Sequence, residues 1–279
     1  MKRSTVITLF PELVTCYAGI SILGKAVDSG LIQIDCENPR AHSKTRYQSV
    51  DDTPAGGGPG QVMRIDIMVE AIRAVQARHA SLRVDDDAKR AHHASDLGHD
   101  QDAPRTRIIL TDPAAPRFLQ SDARRLASYD HLIFVCGRYE GIDARIYHYV
   151  DEAFSIGDFV MTGGELAALA MLDATLRHVP GVLGNAESAQ FESHEAALLE
   201  HSQYTRPAMF EGHGIPAVLQ GGNHALIARE RYKESLVRTA EVRPDLLANN
   251  PPDEKALQIL NEATKNPPDY PWQHLKKIN

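Results

Sequence analysis

The chain has 279 residues, 43% of them hydrophobic, and a net charge of −7. That length admits one large domain or two modest ones, and the hydrophobic share supports a packed core rather than wholesale disorder. An acidic balance excludes nucleic-acid binding driven by bulk charge and leaves room only for a local basic surface. The apolar stretches are strand-length, so no transmembrane helix is expected. Pro11 and Glu12 cut the N-terminal apolar run too short for a signal-peptide core. Cys16, Cys36 and Cys136 are odd in number and lack metal-ligand spacing, which points to reduced thiols and a cytoplasmic protein.

In chain order, a strand is expected over 4–10, a helix over 12–18 opened by Pro11, and a second strand over 31–36. Residues 53–60, T-P-A-G-G-G-P-G, form a loop. A helix over 61–76 follows from Val62, Ile65, Val69, Ile72 and Val75, which recur at three and four. Residues 80–105 lack aromatic side chains and apolar periodicity and read as a flexible surface insert. Its His92, His93, His99, Asp96 and Asp100 read as solvated coil rather than as a metal site.

Strands over 107–110, 131–135 and 152–156 then alternate with helices over 118–129, 142–149 and 165–178. The last helix carries Leu166, Leu169, Leu172 and Leu176 on one side. This alternation predicts an α/β fold with a mainly parallel sheet covered on both faces. Beyond 181 the pattern changes to an irregular stretch and helices over 224–237 and 252–265. The expected organisation is a domain over 1–183, a linker over 184–197 and a mostly helical domain over 198–279.

Two glycine-punctuated runs carry the chemistry: C-G-R-Y-E-G-I-D over 136–143 and S-I-G-D-F-V-M-T-G-G-E-L over 155–166. Each follows a predicted buried strand, where glycine lets the backbone turn sharply and approach a ligand. Neither run has the dinucleotide or P-loop spacing, so the expectation is a cofactor pocket built largely from main-chain atoms. Glu140 reads either as a ligand carboxylate or as a cap of the short helix that Asp143 also complements. Asp158 and Glu165 flank the second run, and Glu165 also suits a helix N-terminus. Arg177 is either a cation on the last carbonyls of its helix or a stabiliser of charge developing on a substrate oxygen. Glu192 is either a solvated linker carboxylate or a general base that closes over substrate. Tyr204, Thr205, Arg206, Asn223, His224, Arg229, Arg231 and Lys233 offer phosphate-type donors and an aromatic face, a set that suits RNA. A solvated charged helix is the competing account of these residues.

These motifs, with D-D-T-P-A-G-G-G-P-G (51–60), R-H-V-P-G-V-L-G-N (177–185), H-S-Q-Y-T-R-P (201–207) and Q-G-G-N-H (220–224), occur in an order that resembles bacterial tRNA (guanine-N1)-methyltransferases of the TrmD type in the SPOUT superfamily. The resemblance implies a SPOUT domain with a deep trefoil knot whose loops bind S-adenosylmethionine. Carried over, the cofactor contacts fall on Leu110, Pro113, Gly137, Tyr139, Glu140, Gly141, Ser155, Ile156, Gly157, Val160, Met161, Gly163 and Gly164. Substrate contacts fall on Asp51, Gly58, Pro59, Ser188, Glu200, Tyr204, Arg206, Asn223 and His224. The implied reaction is methyl transfer to N1 of guanine at tRNA position 37, supporting reading-frame maintenance, with Mg2+ admitted without a dedicated protein site. Arg177 takes the role of stabilising O6, and Glu192 that of the base. The family base is Asp within E-D-S-F or E-D-S-H, whereas this chain reads F-E-S-H. Ala167 replaces a common proline after G-G-E-L, and the S-P motif at a strand end reads T-D-P, Thr111 to Pro113. The resemblance also implies a homodimer with composite active sites. A SPOUT enzyme acting on another RNA nucleoside, or an RNA-binding protein with a weakened site, is the alternative.

Overall fold

A computed structural model describes residues 1–91, 105–184 and 198–274, with side chains omitted over 81–91. It divides into two compact units, Met1–Ala186 and Glu187–Asn279. Among the described residues, no helix is long and apolar enough to cross a membrane.

The first unit is built on a five-stranded parallel sheet. Its strands are β1 (Lys2–Ile7), β2 (Ile32–Glu37), β5 (Thr106–Thr111), β6 (His131–Cys136) and β7 (Glu152–Phe154). They lie in the order β2-β1-β6-β5-β7. The central strand β6, H-L-I-F-V-C, is buried along its whole length, the continuous apolar run that a parallel sheet covered on both faces requires. Alternate residues feed two cores. Val6, Leu132 and Phe134 pack on the side of α1 (Pro11–Ala18), α2 (Ser21–Asp28), α4 (Gln120–Leu126) and α5 (Glu165–Leu176). Ile7, Ile133 and Val135 pack on the side of α3 (Ile65–Ala91). Truncating fully buried Phe134 to alanine would cost about 3–5 kcal/mol, so this strand anchors everything that leaves its C-terminal end.

Three expectations change. The helix placed over 61–76 begins only at Ile65, because Val62–Met63 forms β4 and pairs with Asp51–Asp52, β3. That helix then runs on to Ala91, into the segment read as a flexible insert; A-S-L-R-V-D-D-D-A-K-R-A contains good helix formers and no glycine or proline, so propensity sustains it without an apolar stripe. Residues 92–104, with His92, His93, Asp96, His99 and Asp100, lie outside the described residues. Finally, α5 is not one-sided. Ala167, Ala168, Met171 and Thr175 are buried with Leu169, Leu172 and Leu176, while Leu166 is 59% exposed. Small alanines let neighbouring chain close round most of this helix.

The second unit is mainly helical. It contains a short hairpin, β8 (Met209–Phe210) with β9 (His213–Gly214), then α6 (Ala217–Gln220), α7 (His224–Val242), α8 (Pro244–Asn249) and α9 (Glu254–Lys265). Leu236 of α7 packs on Ala256 and Ile259 of α9, with Leu198 and Leu260 alongside. The buried Glu234 accepts hydrogen bonds from Ser202 and from Trp272 Nε1 (3.1 Å), which tethers the entering and leaving chain to α7.

Candidate active site

The loops that follow β5, β6 and β7 meet at the C-terminal edge of the sheet and enclose a cavity of about 310 Å3. Strand β5 contributes Leu110 and, beyond it, Asp112 and Pro113; β6 contributes Gly137, Tyr139, Glu140 and Gly141; β7 leads to Ser155, Ile156, Val160, Met161, Gly163 and Gly164. Twelve of the thirteen cofactor positions expected from the resemblance thus surround one space. Gly157 does not line it; Ser155 Oγ donates to the Gly157 carbonyl (2.8 Å), and a Cβ there would lie 2.5 Å from the Phe159 ring.

The walls are held by main-chain bonds between segments far apart in sequence. Gly164 N donates to Gly137 O (2.9 Å), and Arg138 bridges Gly163. Glu140 N donates to Gln61 O (3.0 Å), and Met63 N donates to Gly141 O (2.9 Å). Tyr139 and Gly141 have φ of 60° and 108°, so the loop turns through left-handed geometry twice. Tandem glycine is needed at the second loop for space. A Cβ at Gly164 would stand 1.9 Å from Thr111 Oγ1, and one at Gly163 would stand 2.2 Å from Arg138 Nε.

Arg138 and Glu165 form the main ion pair of the site. Arg138 Nε lies 2.9 Å from Glu165 Oε2, and the carboxylate, only 1% exposed, also accepts from Thr8 Oγ1 (2.9 Å). The guanidinium stacks over Phe10 at 4.3 Å from the ring centre and donates to Thr162 O (3.2 Å). Glu165 is the first residue of α5, as its helix N-terminus reading expects, and it also joins β1, the first glycine loop and the second. At the end of β6, burial and then the Glu165 charge push the Cys136 thiol well up, leaving it an inert packing group.

Asp112 and Tyr147 line the cavity and were not anticipated as a pair. The Tyr147 hydroxyl donates to Asp112 Oδ2, and that bond, with burial, pushes the phenol up to about 12. The T-D-P departure at the strand end was the visible signal, since it put a carboxylate where the resemblance expects serine. With Arg138 engaged by Glu165, the carboxylates of Asp112 and Glu140 leave the lining acidic. Apolar walls from Leu110, Ile142, Phe154 and Ile156, main-chain polar edges and an acidic balance fit a nucleoside carrying a positive charge, and the volume lies at the lower end of small-ligand sites.

The remaining positions fall elsewhere. Asp51 lies in β3, with Gly58 and Pro59 exposed in the loop that follows; a Cβ at Gly60 would stand 2.5 Å from the Glu140 side chain, so this loop abuts the first glycine run. Arg177 follows the last residue of α5, and its backbone N–H donates to Asp173 O (3.1 Å). In the second unit, Glu200 accepts from Gln203 Nε2 (2.8 Å), and its carbonyl accepts from Arg238 (3.1 Å). Burial and then the Glu234 charge raise the half-buried Tyr204 phenol, while Arg206 is exposed. Asn223 caps α7 by accepting from Leu226 N (3.2 Å), beside exposed His224. Arg229 and Lys233 pair with Glu262 (3.6 Å) and Glu230 (3.8 Å), the solvated-helix arrangement. Ser188 and Glu192 lie outside the described residues. Among the described residues, no group of three or more potential metal ligands is present.

Comparison with known proteins gives a consistent result. The family model described as "tRNA (Guanine-1)-methyltransferase TrmD" matches residues 1–249. Proteins named tRNA (guanine-N(1)-)-methyltransferase are similar over most of their length. The one from Sorangium cellulosum is 47% identical over 247 residues, 88% of this chain and 92% of the relative. That of Myxococcus xanthus is 46% identical, over 87% and 89%. That of Deinococcus radiodurans is 42% identical, over 99% and 95%.

Proposed function

Because the chain belongs to the tRNA (guanine-1)-methyltransferase TrmD family, we propose that its glycine-lined cavity holds S-adenosylmethionine and that the methyl group goes to N1 of guanine at tRNA position 37. The protein is a tRNA (guanine-N1-)-methyltransferase of SPOUT architecture. The observation that supports the cofactor assignment is the single cavity formed where the loops of β5, β6 and β7 converge, acidic in balance and walled by main chain.

When bound, the cofactor supplies an electrophilic methyl group on a sulfonium. The chain's own residues must shape and hold the acceptor. Neutral guanine carries a proton at N1, so a base has to take it; Glu192 fills that role, the proton passing to its carboxylate. Arg177 stabilises the negative charge that spreads onto O6. Gly163 and Gly164 let the second loop pack directly against Arg138 and Thr111 at the wall of the cavity.

A homodimer with composite sites follows from the same reading. Helix α5 has twelve residues and runs about 18 Å, with Gly164 at one end and Arg177 at the other. An arginine so far along the helix from its own cavity suits a site completed by a second copy. The domain over 1–183 then carries the cofactor, the linker over 184–197 the base, and the domain over 198–279 tRNA contacts, in a cytoplasmic enzyme that helps maintain the reading frame. The test is methyl transfer to a tRNA transcript with guanine at position 37 beside the same transcript with adenine there. Equal transfer to both, or to neither, would sink the assignment.

A further inference from the structure

The 3-10 helix Ala144–His148 is a wall shared by two cavities. Ile146 and Tyr147 face the cofactor cavity, whereas Arg145 and the following Tyr149 line a second cavity of about 430 Å3. The N-terminal turns of α3 form one side of this second space, and His42, Lys44 and Thr45 form another. Four cations line it, Lys44, Arg64, Arg73 and Arg145, against the carboxylates of Asp66 and Glu70. In a chain of net charge −7 this is a local reversal of sign.

The arginines are held by carboxylates near them in sequence, Arg64 and Arg145 through two hydrogen bonds each and Arg73 through one. Arg64 pairs with Asp66 (2.7 Å), Arg73 with Glu70 (3.0 Å) and Arg145 with Asp143 (2.6 Å), each a carboxylate two or three residues away. Lys44 is exposed, as are Arg73 and Arg145. Lys44 and the singly bonded, solvated Arg73 are therefore the cations most open to a phosphate, whereas Arg64 and Arg145 would offer it the N–H donors their carboxylates leave over. His42 is engaged differently, 2.7 Å from Glu37, which also takes Arg78.

We propose that this cavity binds backbone phosphates of the substrate RNA next to the nucleotide being methylated, an inference that rests on the tRNA reading above. A single helix separates it from the cofactor cavity, a step of about 10 Å. A strand that sends one base into the cofactor cavity keeps its flanking phosphates within that reach, as enzymes acting on an extruded base require. The partly exposed Tyr149 ring at the rim suits stacking on a neighbouring base. The cations come from separate elements spread round an open space, an arrangement that follows a strand better than it clasps one small anion.

The experiment measures equilibrium binding of guanine-37 tRNA to the full-length enzyme across a salt series, for the wild type, the double variant Lys44→Ala/Arg73→Ala, and Glu70→Gln. None of these residues lines the cofactor cavity, so an unchanged Kd for S-adenosylmethionine, measured by calorimetry, reports an intact fold. The double variant should bind tRNA about ten-fold more weakly, with the slope of log K against log salt reduced by about 1.4, near 0.7 per lost contact. Glu70→Gln should shift binding the other way, tightening it. Wild-type affinity and slope in both variants would overturn the proposal. So would calorimetric binding of inorganic phosphate that depends on Lys44 and Arg73 while tRNA affinity does not. A wild-type enzyme that methylates no guanine-37 tRNA would instead remove the tRNA reading itself.

Discussion

Arg138 and Glu165 meet at 2.9 Å across the join between the two glycine loops, one side chain from each loop. Thr8 at the end of β1 closes the same network. The glycine-lined cavity is therefore braced by a charge pair whose Arg138 side also forms part of its wall.

Breaking this pair from one side should cost both stability and binding. In Glu165→Gln the guanidinium loses its counter-charge in a site only partly open to water, a loss of about 3 kcal/mol. For a unit of this size that corresponds to roughly 10 °C in Tm. Thermal melting and calorimetric titration of the cofactor should both show the defect. A variant that melts with the wild type would mean that the pair is incidental.

Gly164→Ala should destabilise by about 2 kcal/mol or more, because the added Cβ falls on Thr111 Oγ1. Thr111→Ala removes that oxygen, so the double variant should be more stable than Gly164→Ala alone. Denaturant unfolding of the four proteins in the cycle gives the coupling. Simple additivity would contradict the close approach.

Two titrations test the electrostatics. Tyr147 should ionise near 12 rather than 10, so Tyr147→Phe should delete a late step in a spectrophotometric titration, and Asp112→Ser should move that step down. The raised phenol stabilises the fold below pH 10, and this contribution is lost as pH climbs through 12. His131 goes the other way. Burial, then the neighbouring His79 ring, Arg3 and Arg78, lower its imidazole to about 3. Its folded-state value is depressed, so the stability it contributes is present above pH 6.5 and is lost as pH falls towards 3. Urea midpoints should decline over that window less steeply in His131→Gln than in the wild type; parallel curves would clear His131 of the effect.

For the chemistry, Glu192→Gln should slow single-turnover methylation by about 100-fold or more, the lower range for a positioned base. Arg177→Ala should slow it by about the same factor. Glu192→Asp keeps the carboxylate and should stay far closer to the wild type. Near-normal rates in Glu192→Gln would take this residue out of the mechanism.

Residues of the cavity were legible where backbone geometry dictates residue type. Gly141 has a φ that side chains resist, and a Cβ at Gly164 would meet Thr111 and the Cys136 backbone, so these positions favour glycine in the chain. Strands β5 and β6 were legible because burial on both faces forces continuous apolar runs. The partner of each charge was not. Glu165 looked like an ordinary helix-terminal carboxylate, since nothing local reveals that Arg138, 27 positions earlier, lies against it. Helix α2 was missed because its eight residues, S-I-L-G-K-A-V-D, are too short for a clear period and contain Gly24. The extension of α3 to Ala91 rests on propensity alone, which an apolar periodicity cannot report.

The order β6-β5-β7 gives the cavity a ruler. Its three walls hang from adjacent strands, each about 4.8 Å from the next, so its span is set at about 10 Å by the hydrogen-bond ladder. Side-chain changes can roughen or smooth that slot, but its width moves only in whole strand steps. A ligand is measured against the sheet before any side chain reads it.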